Sequence, residues 1–368
     1  MQDDVGSTAA RPDAATQHRS AGELREALTA LKERAPGIRA RDAVRELGVS
    51  EAELVACRVG DGVMRLEPDF GAILRAMSTV GEVMVLTRNE HCVHEKHGAF
   101  DHVSIGPGHA IVLNHDIDLR LFMSHWRHGF VVTEEVASGL RTSLQVFDID
   151  GMAVHKIYLT AKSDRAAFDE LVGRFRSAEQ SPDIIIAPLP PRQPDRPDGE
   201  IDVANFHKHW RALQDTHDFF GLLQEFGVSR AQAMRLAERE FAYPVPSSAL
   251  RRMLEMAAES QTPIMCFVGN PGCIQIHTGP VETLKTVGPW FNILDPGFNL
   301  HLREDAIHEA WVVRKPTRDG VVTSLELFDA AGFCFAQFFG ERKPGKSELK
   351  AWRDIVSGIS NQTAEVLA

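Results

Sequence analysis

The sequence predicts an α+β fold written twice along one chain, each half an antiparallel sheet with helices. Three observations carry this. Thr142-Ser-Leu-Gln-Val-Phe-Asp-Ile-Asp-Gly151 returns as Thr323-Ser-Leu-Glu-Leu-Phe-Asp-Ala-Ala-Gly332, an offset of 181 residues. The same offset pairs Asp118-Leu-Arg-Leu121 with Asn299-Leu-His-Leu302, and Asn89, Cys92 and Gly98 with Asn270, Cys273 and Gly279. Second, a Pro-dense stretch over 181–200 is unfit for a helix or a central strand and separates the copies. Third, within each copy the helical patterns and the strand patterns are segregated, which is the α+β order.

Taken in order, residues 1–21 are polar and rich in Ala, Asp and Ser, and read as a disordered tail. The first repeat spans 22–180. It opens with a helix over Gly22–Arg34, then a second at Ser50, where Glu53 completes a capping box. A helix over Phe70–Thr79 follows. Strands are expected at Val83–Thr87, Cys92–Glu95, Ala110–Leu113, Leu119–Phe122, Gly129–Glu134, Thr142–Phe147 and Ala153–Leu159, punctuated by Asn, Gly, Asp and Pro as in a meander. A helix over Asp164–Arg176 closes the repeat. The second repeat, 201–358, restates this plan with Ser229 and Gln232 as its capping box, helices at Ser248–Glu259 and Lys346–Ser357, and a tail over 359–368.

Composition narrows the class. The 368 residues are 43% hydrophobic and 25% charged, ordinary for a globular protein, and exceed what one core usually serves. The net charge of −11 argues against a nucleic-acid partner. No apolar run is long enough to span a membrane, so the chain is not expected to be membrane-embedded. Five scattered cysteines without C-x-x-C fit free thiols in a reducing cytoplasm, and the absence of C-x-x-C-H excludes a covalently attached c-type heme. P-loop, G-x-G-x-x-G, G-x-S-x-G and H-E-x-x-H motifs are all missing.

A duplicated fold needs both copies to keep a core, but a site needs only one, so the differences between the halves are informative. Around Trp210-Arg-Ala-Leu-Gln-Asp-Thr-His-Asp-Phe-Phe220, a single helix would align Phe206, Trp210, Leu213, His217 and Phe220 on one apolar face. His217 has no counterpart in the first half, where Ile38 stands. A lone histidine on such a face is either a buried ring satisfied by a carbonyl or an axial ligand to a flat, metal-bearing cofactor. Arg120 is opposite His301, and alternation within its strand sets Arg120 and Phe122 on the face opposite Leu119 and Leu121. A single arginine on a sheet face is more often a solvated charge. His91, His94 and His97 would share a face in a helix and suit zinc or nickel. The repeat makes this stretch a hairpin strand, where residues three apart point to opposite sides, and the ligand set breaks.

Here the chain resembles the bacterial cytoplasmic heme-utilisation proteins, the hemin-degrading factor family. The residues carrying the resemblance are Leu86-Thr-Arg-Asn-Glu90, Asp118-Leu-Arg-Leu-Phe122, Leu213-Gln-Asp-Thr-His-Asp-Phe-Phe220, Trp311-Val-Val-Arg-Lys-Pro316, Thr323-Ser-Leu-Glu-Leu-Phe328 and Gln337-Phe-Phe-Gly-Glu-Arg-Lys-Pro344, spread from about Leu24 to Trp352. The resemblance implies a non-covalent heme b in a cleft involving both halves. It implies His217 as proximal iron ligand, Arg120 as distal arginine, and Phe122 and Phe267 as walls. Arg230, Lys315 and Arg342 would be the cations near the propionates, with Gln337 beside them. Phe339 stands where some relatives carry a tyrosine, so anchoring would rest on the cations. Arg230, just inside a helix capped by Ser229, would gain from that helix's positive end at a carboxylate.

Three functions stand open at this point. The first is a cytoplasmic carrier in iron acquisition that takes heme from an importer and passes it to a heme oxygenase or another acceptor. The second is a heme-degrading enzyme fed by an external reductant, with Arg120 catalytic. The third is a heme-free scaffold with structural histidines.

Overall fold

The computed structural model describes residues 19–342 and 345–366. The chain forms two compact units. One comprises the described residues up to Thr87 together with Lys96–Pro191; the other comprises Arg88–Glu95 together with everything from Arg192 onward. The division therefore falls inside the Pro-dense stretch, as the repeat suggests, with one exception: a short hairpin turn of the first repeat packs with the second.

The first repeat runs α1 (Ala21–Arg34), α2 (Ala40–Leu47), α3 (Glu51–Ala56), β1 (Val63–Arg65), α4 (Phe70–Ala76), β2 (Gly81–Arg88), β3 (Cys92–Gly98), β4 (Val103–Ile105), β5 (His109–Leu113), β6 (Asp118–Phe122), β7 (His128–Val136), β8 (Gly139–Phe147), β9 (Ala153–Ser163) and α5 (Arg165–Phe175). The second runs α6 (Val203–Arg211), α7 (Asp218–Phe226), α8 (Arg230–Leu236), β10 (Ala242–Val245), α9 (Ala249–Ser260), β11 (Ile264–Asn270), β12 (Cys273–Gly279), β13 (Leu284–Val287), β14 (Trp290–Asp295), β15 (Phe298–Arg303), β16 (Glu309–Thr317), β17 (Gly320–Phe328), β18 (Cys334–Gly340) and α10 (Lys350–Val366).

Helix starts follow local chemistry. Ser20 with Glu23 and Ser50 with Glu53 form full capping boxes on α1 and α3. Ser229 accepts the Gln232 amide N–H, but the Gln232 side chain turns away to the Arg196 carbonyl and Asp198, so only half of the second predicted box forms. The tails expected over 1–21 and 359–368 lie in part outside the described residues. Helix α1 already begins at Ala21 and α10 continues to Val366, while residues 1–18 and 367–368 lie outside the described residues.

Each repeat does contain a three-strand meander, β7-β8-β9 and β16-β17-β18, but the sheet is completed by an earlier strand. β2 lies beside β9, and β11 beside β18. The two repeats share even their irregularity, a register shift at Val146/Phe147 in one and at Leu327/Phe328 in the other. The expected period-2 alternation decides what each face buries. One face of the second sheet turns Val312, Leu325, Phe338 and Cys266 toward Leu250, Met253 and Leu254 of α9 and Trp352 and Ile355 of α10. The other turns Val313 and Phe328 toward Phe206, Trp210, Phe219 and Leu222 of α6 and α7. Among the described residues no helix is long and apolar enough to cross a membrane.

Candidate functional site: an exposed histidine beside a half-exposed aromatic face

The stretch around His217 is not one helix. Helix α6 ends at Arg211 and α7 begins at Asp218, with His217 at its N-cap position. The break re-phases the pattern. Phe206, Trp210, Leu213 and Phe219 are buried, whereas Phe220 is only half-buried and the His217 side chain is 63% exposed. An unbroken helix would have kept a single 3.6-residue phase through this stretch. Asp215 interrupts it by capping the turn, its Oδ1 accepting the His217 backbone N–H at 2.9 Å. The buried-histidine alternative is thereby removed.

The ring is held rather than loose. His217 Nδ1 donates to Asp215 Oδ1 at 2.5 Å. The Asp215 carboxyl is kept below its ordinary range, chiefly by the backbone N–H of His217, with the His217 ring and Arg342 adding to it, so it is a permanent acceptor near neutral pH. In a neutral imidazole this assigns the proton to Nδ1 and the lone pair to Nε2. A carboxylate behind one ring nitrogen is the arrangement that orients metal-bound imidazoles and raises their basicity. His217 opens into a pocket of about 550 Å³ with Gln214, Asp215, Asp218, Thr317, Arg318, Asp319 and Arg342 in its lining. Arg342 thus faces the same space as His217.

One residue into α7, the Phe219 ring packs at 4.7 Å between centroids against Trp210, and the Trp210 indole N–H donates to the Arg314 carbonyl at 2.9 Å. From Phe219 a chain of contacts leads onto the sheet. Lys315 Nζ lies 4.5 Å from its centroid and 5.9 Å from that of Phe339. Phe339 in turn meets Phe267 at 5.0 Å. Phe267 and Gln337 are direct cross-strand partners and both are half-exposed. Met265, two residues before Phe267, shares that face. The structure thus brings His217, Lys315, Phe339, Phe267, Gln337, Arg230 and Arg342 into one unit.

Two of the expected anchors differ from the expectation. Arg230 and Lys315 are 8% and 3% exposed, and both are already bound to a carboxylate of the protein. Arg230 Nε and Nη2 donate to the two oxygens of Glu326 at 2.7 and 3.0 Å, and Lys315 Nζ donates to Glu326 Oε1 at 2.9 Å. Arg230 Nη2 also donates to Gln337 Oε1 at 3.0 Å. The carboxylate beside Arg230 is therefore in the first place Glu326. Burial pushes the Glu326 carboxyl upward, but Arg230 and Lys315 outweigh it and leave it well below the ordinary carboxylate range.

Arg120 and Phe122 lie on β6 in the other unit. Arg120 is paired with Asp118 of its own strand and is 24% exposed at the side chain. Burial raises the Asp118 carboxyl while Arg120 opposes the rise. The predicted alternation holds for Arg120 against the fully buried Leu119 and Leu121, but Phe122 is 3% exposed and so is buried as well. The 91–97 run is a strand, as expected, and among the described residues no group of three or more potential ligands could hold a metal ion. His94 is buried against Gln275 and Phe298.

The HemS/ChuX haemin-degrading domain matches residues 48–175 and again 227–359. The chain belongs to that family. The double match reproduces the duplication seen in the sequence. The hemin transport protein HmuS of Yersinia pestis is 42% identical over 329 residues, 89% of this chain and 94% of its own. Among solved structures, holo-PhuS, a heme-binding protein from Pseudomonas aeruginosa, is 47% identical with a TM-score of 0.91, covering 93% of this chain and 99% of that one. The heme-degrading enzyme ChuS of Escherichia coli O157:H7 is 40% identical with a TM-score of 0.85, over 92% and 99% of the two chains.

Asp215 and Glu326 are the residues that sequence reasoning passed over. Asp215 was legible as the first member of Asp-Thr-His, an Asx turn ahead of a helix. Glu326 was legible as a difference between the halves, since Gln145 stands at its place in the first repeat.

Proposed function

We propose that this protein binds heme b non-covalently, with His217 as iron ligand, and carries it to an acceptor. The observation that carries the reading is the His217–Asp215 pair, exposed into a pocket that also holds Arg342 and joined through Phe219, Lys315 and the buried Phe339 to the half-exposed Phe267. A porphyrin needs an imidazole with a free lone pair, flat apolar walls and cations for two carboxylates. This chain supplies each with its own residues. An exposed histidine suits a carrier, because a ligand reached from solvent can also be given up to solvent-borne partners. Names of relatives support the ligand class: HmuS is a hemin transport protein and PhuS a heme-binding protein. The acceptor would be a heme oxygenase or another heme protein, the donor a heme importer, and the place of exchange the cytoplasm.

A second reading, degradation of the bound heme, is favoured by the relative described as a heme-degrading enzyme. There Arg120 would be the donor toward the reacting side, with electrons from outside the chain. One experiment separates the two. Hemin is titrated anaerobically by absorbance, and reductant and air are then admitted with catalase present. A stoichiometric Soret band that persists and moves to an added acceptor means carriage. A band that decays with release of iron means degradation. Absence of any stoichiometric band would overturn both and leave a heme-free scaffold.

A further inference from the structure

We propose that Met265 is an oxidative modification site: hydrogen peroxide generated by bound heme, an external reductant and dioxygen converts its thioether to the sulfoxide, and the altered wall weakens the hold on heme. This rests on the reading of the protein as a heme binder.

The strands place the sulfur. Met265 lies on β11 between two partners in register, Phe339 on β18 and Thr278 on β12. Direct cross-strand partners share a face, and so do residues two apart on one strand, about 7 Å from each other. Met265 therefore stands beside both Phe267 and Phe339, whose rings meet at 5.0 Å. It is partly exposed, whereas Ile264 and Cys266 on either side of it are fully buried in the core under α9 and α10. A flat ligand resting on Phe267 also meets this thioether, and methionine is a common filler of such adaptable aromatic surfaces.

The chemistry selects a thioether over the nearby thiols. Burial pushes the Cys92 and Cys266 thiols up, so both stay protonated and inert. A thioether has no proton to lose and needs only access to the oxidant. Dioxygen takes two electrons and two protons from the reductant to give hydrogen peroxide. The peroxide passes one oxygen to the sulfur and leaves as water, so the sulfur loses two electrons and the peroxide gains two. The product is a polar, chiral group on an apolar wall, and methionine sulfoxide reductases reverse it. The first repeat supplies an internal control. Met84 stands 181 residues before Met265, is partly exposed, and faces Tyr158 in register as Met265 faces Phe339. Its repeat has Ile38 where the second has His217. Met152, 42% exposed, is the most open methionine among the described residues and reports peroxide in bulk solution.

The test maps methionine oxidation by peptide mass. Hemin-loaded protein is given ascorbate and air with catalase present. Met265 should gain one oxygen, about 16 Da, while Met84 and Met152 do not. Heme-free protein given free peroxide without catalase should be oxidised first at Met152. The treated protein is then freed of heme and titrated again with hemin. Its affinity should be about tenfold lower, the scale of one lost apolar contact, and methionine sulfoxide reductase with a dithiol should restore it. Met265→Leu has no sulfur, so its affinity should be the same before and after treatment. An unmodified Met265 under a normal Soret band, or oxidation that ranks Met152 ahead of Met265 in the hemin-loaded protein, overturns the site. An affinity unchanged by complete oxidation of Met265, or lost equally in Met265→Leu, overturns its effect on heme. No stoichiometric Soret band overturns heme binding itself.

Discussion

Asn89 and Asn270 bind each other's turns reciprocally. Asn89 Nδ2 donates to the carbonyl of Gly269 at 3.0 Å, and Asn270 Nδ2 donates to the carbonyl of Arg88 at 2.9 Å. The two residues are 181 positions apart, and so are the two acceptors. Each Oδ1 also caps its own turn, accepting from His91 and Cys92 in one case and from Gly272 and Cys273 in the other. This is the bonding of a two-fold contact made within one chain. It explains why the 88–95 turn joins the second repeat.

Asn270 is 6% exposed whereas Asn89 is half-exposed, and the penalty for stranding a hydrogen-bonding group grows with burial. Asn270→Ala should lower stability by about 2–3 kcal/mol and Asn89→Ala by about 1 kcal/mol. Denaturant midpoints of the two variants check the order.

Asp215→Asn replaces a fixed acceptor by an amide that can present either end to His217. Hemin affinity should fall about 10–100-fold, the usual cost of losing the group behind a metal-bound imidazole. His217→Ala should weaken binding further and move the Soret band. An unchanged spectrum and affinity in His217→Ala would remove the ligand assignment, and repeating it with His209→Ala present checks for substitution by that neighbour.

Trp210 is 1% exposed, touches Phe206, Phe219 and Phe241, and spends its only polar atom on the Arg314 carbonyl. Trp210→Ala should cost about 3–5 kcal/mol. It should also loosen the start of α7, so hemin affinity falls together with thermal stability. Trp210→Phe should keep more of both.

The pH dependence follows from Glu326. Its carboxyl is held below the ordinary range when folded, so the stability it contributes is present above the unfolded value of about 4.3 and is lost as pH falls through the folded value. Wild type should therefore lose stability on acidification below about pH 4. Glu326→Gln should be about 3–5 kcal/mol less stable at pH 7, as for a broken buried pair, and its acid limb should be shallower. Unfolding measured from pH 3 to 7 on both proteins checks the sign.

The sequence by itself determined the duplication, the α+β class and most helices and strands of the first repeat, though not α2, β1 or β4, because repeats, caps and period-2 alternation are local signals. It also singled out His217 and Arg120, since a residue present in one repeat only is visible without coordinates. What it could not decide was phase and pairing. Whether α6 and α7 are one helix depends on Asp215 folding back on His217, and that choice moved the ring from a buried face to an open pocket. Whether Arg230 and Lys315 are free depends on β17 bringing Glu326 between residues 96 and 11 positions away along the chain. Charge balance in a buried cluster is a property of the assembled sheet and of the helix laid on it, and only the tertiary structure fixes it.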